Sequence, residues 1–163
     1  MQIPISRRRQ AAFAAALLAV LAGGMVASAA PSHAPVAARL ARGADREAAS
    51  FTLCEGPVRV TCVVDGDTFW YRGLKIRIAD INAPELSRPS CAHEARLALA
   101  ATRRLTALLN AGPFSLATGE RETDRYGRAL RVVMRGGRSL GAVLEAEGLA
   151  ERWQGRRGDW CAA

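Results

Sequence analysis

Three short stretches hold residues whose types and spacing suit work on a phosphate. They are Val64-Asp65-Gly66-Asp67-Thr68, Ile76-Arg77-Ile78-Ala79-Asp80-Ile81-Asn82-Ala83-Pro84-Glu85 and Thr123-Asp124-Arg125-Tyr126-Gly127-Arg128. Hydrolysis of a phosphodiester needs a positioned water, a group that activates or orients it, and positive charge for the negative charge that builds on phosphorus. A guanidinium fork fits phosphate oxygens two at a time. Arg77 and Arg128 supply two forks, and Glu85 offers a carboxylate to the water. A hard divalent cation takes oxygen ligands, which the carboxylates near the hairpin supply. Each piece alone has a plainer explanation. An Asp-Gly pair is usually only a turn, and Arg77 alone would be a surface partner of Asp80 or Glu85. Arg128 alone would be a solvated loop arginine, Glu85 an ordinary loop acid and Tyr126 a packing residue.

The chain between these stretches reads as elements that can carry them. Arg59 to Val64 is β-branched and reads as a strand. Asp65-Gly66 is a two-residue hairpin signal, and Thr68 to Tyr71 is the return strand. Arg72-Gly73 turns the chain again, and Leu74 to Ile81 alternates as a third strand. Ile76 and Ile78 would share one face of it; Lys75, Arg77, Ala79 and Ile81 would share the other. From Cys91 to Asn110, Ala95, Ala98, Leu99, Thr102, Leu105, Leu108 and Leu109 recur at helical spacing. Ser90 can cap that helix, and Ala111-Gly112-Pro113 ends it. Phe114 to Thr118 and Leu130 to Met134 read as two more strands. Leu140 to Glu147 is a short second helix, stopped by Gly148. The expected fold is mainly β (α+β): a five-stranded OB-fold barrel with two helices. His93, in the first turn of the long helix, is expected to face solvent. No repeat or internal symmetry is visible.

Length allows one domain and not comfortably two. Arg7-Arg8-Arg9, an Ala/Leu/Val run to about Leu21 and Ala27-Ser28-Ala29 form the pattern of a cleaved export signal. The division expected is 1–29 signal peptide, 30–50 flexible linker and 51–163 folded domain. A twin-arginine signal and an uncleaved membrane anchor are the alternatives for the N-terminus. The mature chain would have no integral membrane span, would be periplasmic or secreted, and would be a monomer. Four cysteines in an exported domain point to disulfides, with three pairings possible. Cys54 and Cys62 flank a Glu55-Gly56-Pro57 turn signal, so that local bridge is favoured, leaving Cys91 with Cys161. A four-cysteine zinc site has no C-x-x-C spacing behind it. Net charge is +8, or +5 without residues 1–29. That suits a polyanionic partner, and equally a merely soluble arginine-rich protein.

Taken together, in this order and spacing over about residues 58–153, the three stretches resemble the signature of staphylococcal nuclease-like (thermonuclease) domains. The resemblance implies an OB barrel that cleaves DNA and RNA with Ca²⁺. It implies Asp67 as a metal ligand, with Asn82 and the Ala83 backbone carbonyl at the other two ligand positions. Arg77 and Arg128 would grip the scissile phosphate, Glu85 would activate or orient the attacking water, and Arg125 and Tyr126 would contact a neighbouring phosphate of the substrate. Asn82 departs from the family, which has an aspartate there. The lost negative charge predicts weakly held Ca²⁺, and Asn82→Asp should raise activity or calcium affinity. Asp80 is an alternative source of the missing charge. The chain also ends soon after the second helix, with Trp153, Arg156, Arg157 and Trp160 in a tail expected to pack its aromatics and expose its arginines. The function expected is an exported metal-dependent nuclease acting on single- or double-stranded DNA and RNA. The alternative is a catalytically weak or inactive OB-fold module that binds nucleic acid. A structural domain of a cell-envelope complex is the remote third.

Overall fold

The computed structural model describes residues 44–162. The expected signal peptide, and the expected linker up to residue 43, lie outside the described residues. Among the described residues nine short strands and two helices follow in order: β1 (Thr52–Leu53), β2 (Cys62–Asp65), β3 (Thr68–Tyr71), β4 (Leu74–Ile78), β5 (Ile81–Asn82), α1 (Ala92–Asn110), β6 (Ser115–Thr123), β7 (Ala129–Arg135), β8 (Arg138–Ser139), α2 (Leu140–Ala146) and β9 (Glu151–Arg152). The main sheet runs β1-β2-β3-β4-β7-β6, with β8 on β7. β4 and β7 pair in parallel, and the β2–β3, β3–β4 and β6–β7 ladders are antiparallel. The five expected strands are therefore β2, β3, β4, β6 and β7, in a mainly β, α+β architecture of OB type. Among the described residues no ladder joins β6 back to β1 or β2, so the barrel is not closed by hydrogen bonds.

Several boundaries moved for physical reasons. The first strand starts at Cys62, not Arg59. The third stops at Ile78, because Asp80 turns aside to accept the Ser139 hydroxyl at 2.5 Å and the Trp153 N–H at 2.9 Å. Ile81 and Asn82 then pair with β9 instead of the main sheet. On the face of β4 that Lys75 shares with it, Arg77 is as buried as a core residue, beneath the Trp153 ring.

The core is built by Ile76, Ile78, Val63 and Val133 from the sheet and Leu105 and Leu109 from α1. Phe51, Phe69, Tyr71 and Phe114 form an aromatic group with centroids 5.7–6.0 Å apart. Asn110 holds Phe51 there by bonding both its N–H and its carbonyl. Residues just before Phe51 pack too: Glu47 bridges Phe114 and accepts the Tyr71 hydroxyl. The buried face of α1 includes Ala98, Ala101, Thr102 and Leu105; Leu99 is exposed and Ala101 takes the place expected for it. Cys91, not Ser90, is the N-cap, its Sγ accepting the Glu94 N–H. At the other end Arg135 donates to the carbonyls of Leu108, Gly112 and Pro113, satisfying groups the helix leaves open.

Gly66 shows why the hairpin carries a glycine. Its φ is not positive, so turn geometry is not the reason. A Cβ there would lie 2.6 Å from the Ala101 Cβ and 2.7 Å from the Ala83 Cβ. The hairpin thus sits directly on α1 and on the chain after β5. Gly66→Ala should destabilise the domain by about 1–3 kcal/mol through overpacking. Urea denaturation checks this; an unchanged midpoint would mean that the hairpin is free to lift.

Candidate active site

Thr68 on β3 is in register with Arg77 on β4. This sets Asp67 against the arginine: Arg77 Nη1 is 2.7 Å from Asp67 Oδ2, and both side chains are buried. Asp67 Oδ2 also accepts the Ala83 N–H at 2.7 Å, and Oδ1 accepts the Thr68 hydroxyl at 2.9 Å. Arg77 Nη1 donates to the Ile78 carbonyl as well. Its Nε and Nη2 make no protein hydrogen bond among the described residues. Arg77 therefore pairs with Asp67, not with Asp80 or Glu85. A buried charge is tolerable only when matched, and Asp67 supplies the match.

Asn82 is buried on β5, and its Nδ2 donates to Glu151 Oε1 on β9 at 2.9 Å. Asp80 faces Ser139 and Gly141 at the start of α2. It is thus drawn to the helix and not to Asp67. Glu85 is half-buried on the loop after β5, 2.5 Å from Arg157. That loop is held from below by Glu94, which accepts the N–H groups of Glu85 and Ser90. The Ser90 N–H, helped by the Glu85 N–H and Arg157, holds the Glu94 carboxyl below its ordinary value even though burial opposes this.

Asp65 sits among like charges. Burial, then the Asp67 carboxylate and more weakly that of Glu85, push its carboxyl up to about 7, against the opposing Asp67 N–H. Asp65 and Asp67 bring two carboxyl groups together, and oxygen donors of that kind are what a hard cation takes. Among the described residues no three His, Cys, Asp or Glu side chains form a ready-made cage.

Arg128, Arg125 and Tyr126 form a second group on the β6–β7 turn. Asp124 ties it together, accepting the Tyr126 and Arg128 N–H groups and, at 2.6 Å, Arg128 Nε. Burial disfavours its charge, but these bonds outweigh burial and hold its carboxyl below the usual value. The guanidiniums of Arg125 and Arg128 lie 4.8 and 5.4 Å from the centre of the exposed Tyr126 ring. Arg128 keeps both terminal nitrogens free of protein partners among the described residues. Ala129 is in register with Ile76, so the residues after Arg128 and before Arg77 run on adjacent strands.

The fold thus joins Asp67, Arg77 and Ala83 by direct contact, with Glu85 two residues after Ala83 on the same loop. No hydrogen bond or ion pair among the described residues links Arg128, Arg125 or Tyr126 to that group. The staphylococcal nuclease homologue family model matches residues 75–159, which span Arg77, Glu85 and Arg128. The chain belongs to this family. Comparison with curated proteins gives no match. Membership makes the chain a relative of the nucleases. The Asp65-Gly66-Asp67 hairpin lies just ahead of the matched stretch. Within this nuclease-family domain, four residues escaped the sequence reading: Glu94, Glu151, Trp153 as a cover for Arg77, and Arg157 as the partner of Glu85. Only Glu94 had a local signal, its place in the third position of the helix. The two disulfides are Cys54–Cys62 and Cys91–Cys161. Such bridges suit an oxidising, extracytoplasmic environment. No helix among the described residues is long and apolar enough to cross a membrane.

Proposed function

We propose that this domain is an exported, calcium-dependent endonuclease, periplasmic or secreted and monomeric, that hydrolyses phosphodiester bonds of DNA and RNA. The observation that carries the reading is the buried Asp67–Arg77 pair beneath the Ala83 amide, with Glu85 on the same loop. A structural barrel has no need of a charged pair there, since apolar residues of similar volume are often at least as stable. Asp67, the Asn82 amide oxygen and the Ala83 carbonyl would hold Ca²⁺, which when bound supplies charge to the phosphoryl oxygens. Arg77 offers Nε and Nη2 to a non-bridging phosphate oxygen. Arg128, steadied by Asp124, offers its terminal nitrogens from the neighbouring strand end. Glu85 orients the water and accepts its proton. Arg125 and Tyr126 take the next phosphate along the strand.

Glu85→Gln keeps the side chain's size and removes its basicity. The turnover number on single-stranded DNA should fall about 10²–10⁴-fold, with KM little changed, and chelator should abolish cleavage by the parent protein. Undiminished cleavage by Glu85→Gln would remove the water-handling role. The second reading is a weak or inactive nucleic-acid-binding module. It is favoured by Asn82, which brings no negative charge to a cation and whose Nδ2 is tied to Glu151. Retained DNA binding without calcium-dependent cleavage would decide for it.

A further inference from the structure

We infer that Arg157 is a positioning residue for Glu85, and that the Cys91–Cys161 disulfide and the Glu151–Gly158 contact keep it in place. The inference rests on the nuclease reading above, since it concerns the residue assigned to the water.

The tail after β9 is a strap fastened at both ends. At its start the Trp153 N–H donates to the Asp80 carbonyl at 2.9 Å. The Gly158 N–H donates to Glu151 Oε1, the same oxygen that accepts Asn82 Nδ2. At its far end Cys161 is bonded to Cys91, the residue that caps α1. Arg157 lies between these fastenings, with Nη1 2.5 Å from Glu85 Oε1. Glu85 is fastened from the other side, because Glu94 in the first turn of α1 accepts its backbone N–H. The disulfide and Glu94 thus anchor both partners to one helix end, although they are 72 residues apart in the chain.

Glu85 needs such help. A glutamate on a loop, with a third of its side chain exposed, has several rotamers open to it. Only some of them point the carboxylate at a water beside the phosphate. An ion pair between two exposed side chains restrains little, because ordering two long chains costs entropy. Here much of that ordering is done by the covalent tie and by the backbone bond at Gly158. Arg157 therefore acts on Glu85 with a fixed backbone behind it. Geometry at a reacting centre is unforgiving, so loss of this hold should show in turnover and not in substrate affinity.

The test uses the full chain carrying Arg157→Gln, Arg157→Lys, Cys91→Ser/Cys161→Ser, and Arg157→Gln combined with the two serines. Serine keeps the helix cap at position 91. Thermal midpoints are recorded for each, and kcat and KM are measured separately on single-stranded DNA with Ca²⁺. Arg157→Gln should lower kcat about tenfold with KM within about twofold, since a small displacement at the centre costs rate. Arg157→Lys should recover most of the loss. The serine pair should cost a similar factor, and the combined variant no more than the worse of its parents. Wild-type turnover in Arg157→Gln, a change confined to KM, or losses that multiply in the combined variant would each overturn the inference. Amide exchange across residues 84–90 gives a readout free of activity: faster exchange in Arg157→Gln supports the strap, and unchanged exchange overturns it. If the parent protein cleaves nothing, the nuclease reading falls, and the exchange result alone judges the strap.

Discussion

Replacing Arg77 with Ala should cost the metal-free domain about 3–5 kcal/mol of stability and lower kcat/KM about 10²–10³-fold. Two effects combine. Asp67 is buried, and among the described residues Arg77 is the only cation within contact distance of it. Without the arginine its carboxylate keeps only the Ala83 N–H and the Thr68 hydroxyl, which do not balance a full charge in a dry setting. The second effect is catalytic. In the proposed mechanism Arg77 donates to a phosphate oxygen, so its loss should be felt where charge builds in the transition state. Chemical denaturation in chelator measures the first effect and steady-state cleavage of single-stranded DNA the second. Ca²⁺ should recover part of the stability, because it can balance Asp67, but not the rate. A variant that cleaves at the parent rate would remove Arg77 from the chemistry and leave it a purely structural ion.

Asn82→Asp has a larger and less obvious effect than the sequence suggested. From the family pattern alone it should simply strengthen calcium binding. In the fold, Asn82 is buried and donates from Nδ2 to Glu151 Oε1. An aspartate has no donor there and would set a second carboxylate against Glu151. In chelator the variant should therefore lose about 1–3 kcal/mol, the cost of a buried polar group left without its partner. Calcium should reverse the loss, because a bound cation stabilises the state that holds it. The signature is a thermal midpoint that rises more on adding Ca²⁺ in Asn82→Asp than in the parent, together with higher activity at saturating calcium. Equal calcium shifts in the two proteins would show that residue 82 is not a ligand. The same reasoning explains how the parent tolerates an asparagine: β9 uses its amide as a tie between Glu151 and the loop that carries Glu85.

Much of the architecture was legible before any coordinates. The β-branched run before Asp65, the apolar spacing from Ala98 to Leu109 and the Gly112-Pro113 stop are local signals, and local signals survive folding when tertiary contacts agree with them. The bridge Cys54–Cys62 was readable because a turn lies between its ends. Other features were not. Leu99 has the spacing of a core residue but points to solvent, because α1 turns Ala101 toward the hairpin instead. Gly66 looked like a turn residue, yet it is there because no side chain fits between Ala101 and Ala83. Arg77 alternates onto the face opposite Ile76 and Ile78, and Trp153, far away in the chain, covers it.

The amino-acid order by itself determined the five main strands and the two helices, the family signature and the kind of chemistry that Asp67, Arg77, Glu85 and Arg128 could do. Residue type and short-range spacing carry that information, because backbone preference, hydrophobic period and side-chain charge are properties of the chain itself. Only the tertiary structure decided which polar and charged side chains pair: Arg77 with Asp67, Asn82 with Glu151, and Glu85 with Arg157. The last two pairs are separated by about seventy residues. Partners so distant are chosen by sheet register and by the Cys91–Cys161 tie, and no local pattern encodes either one.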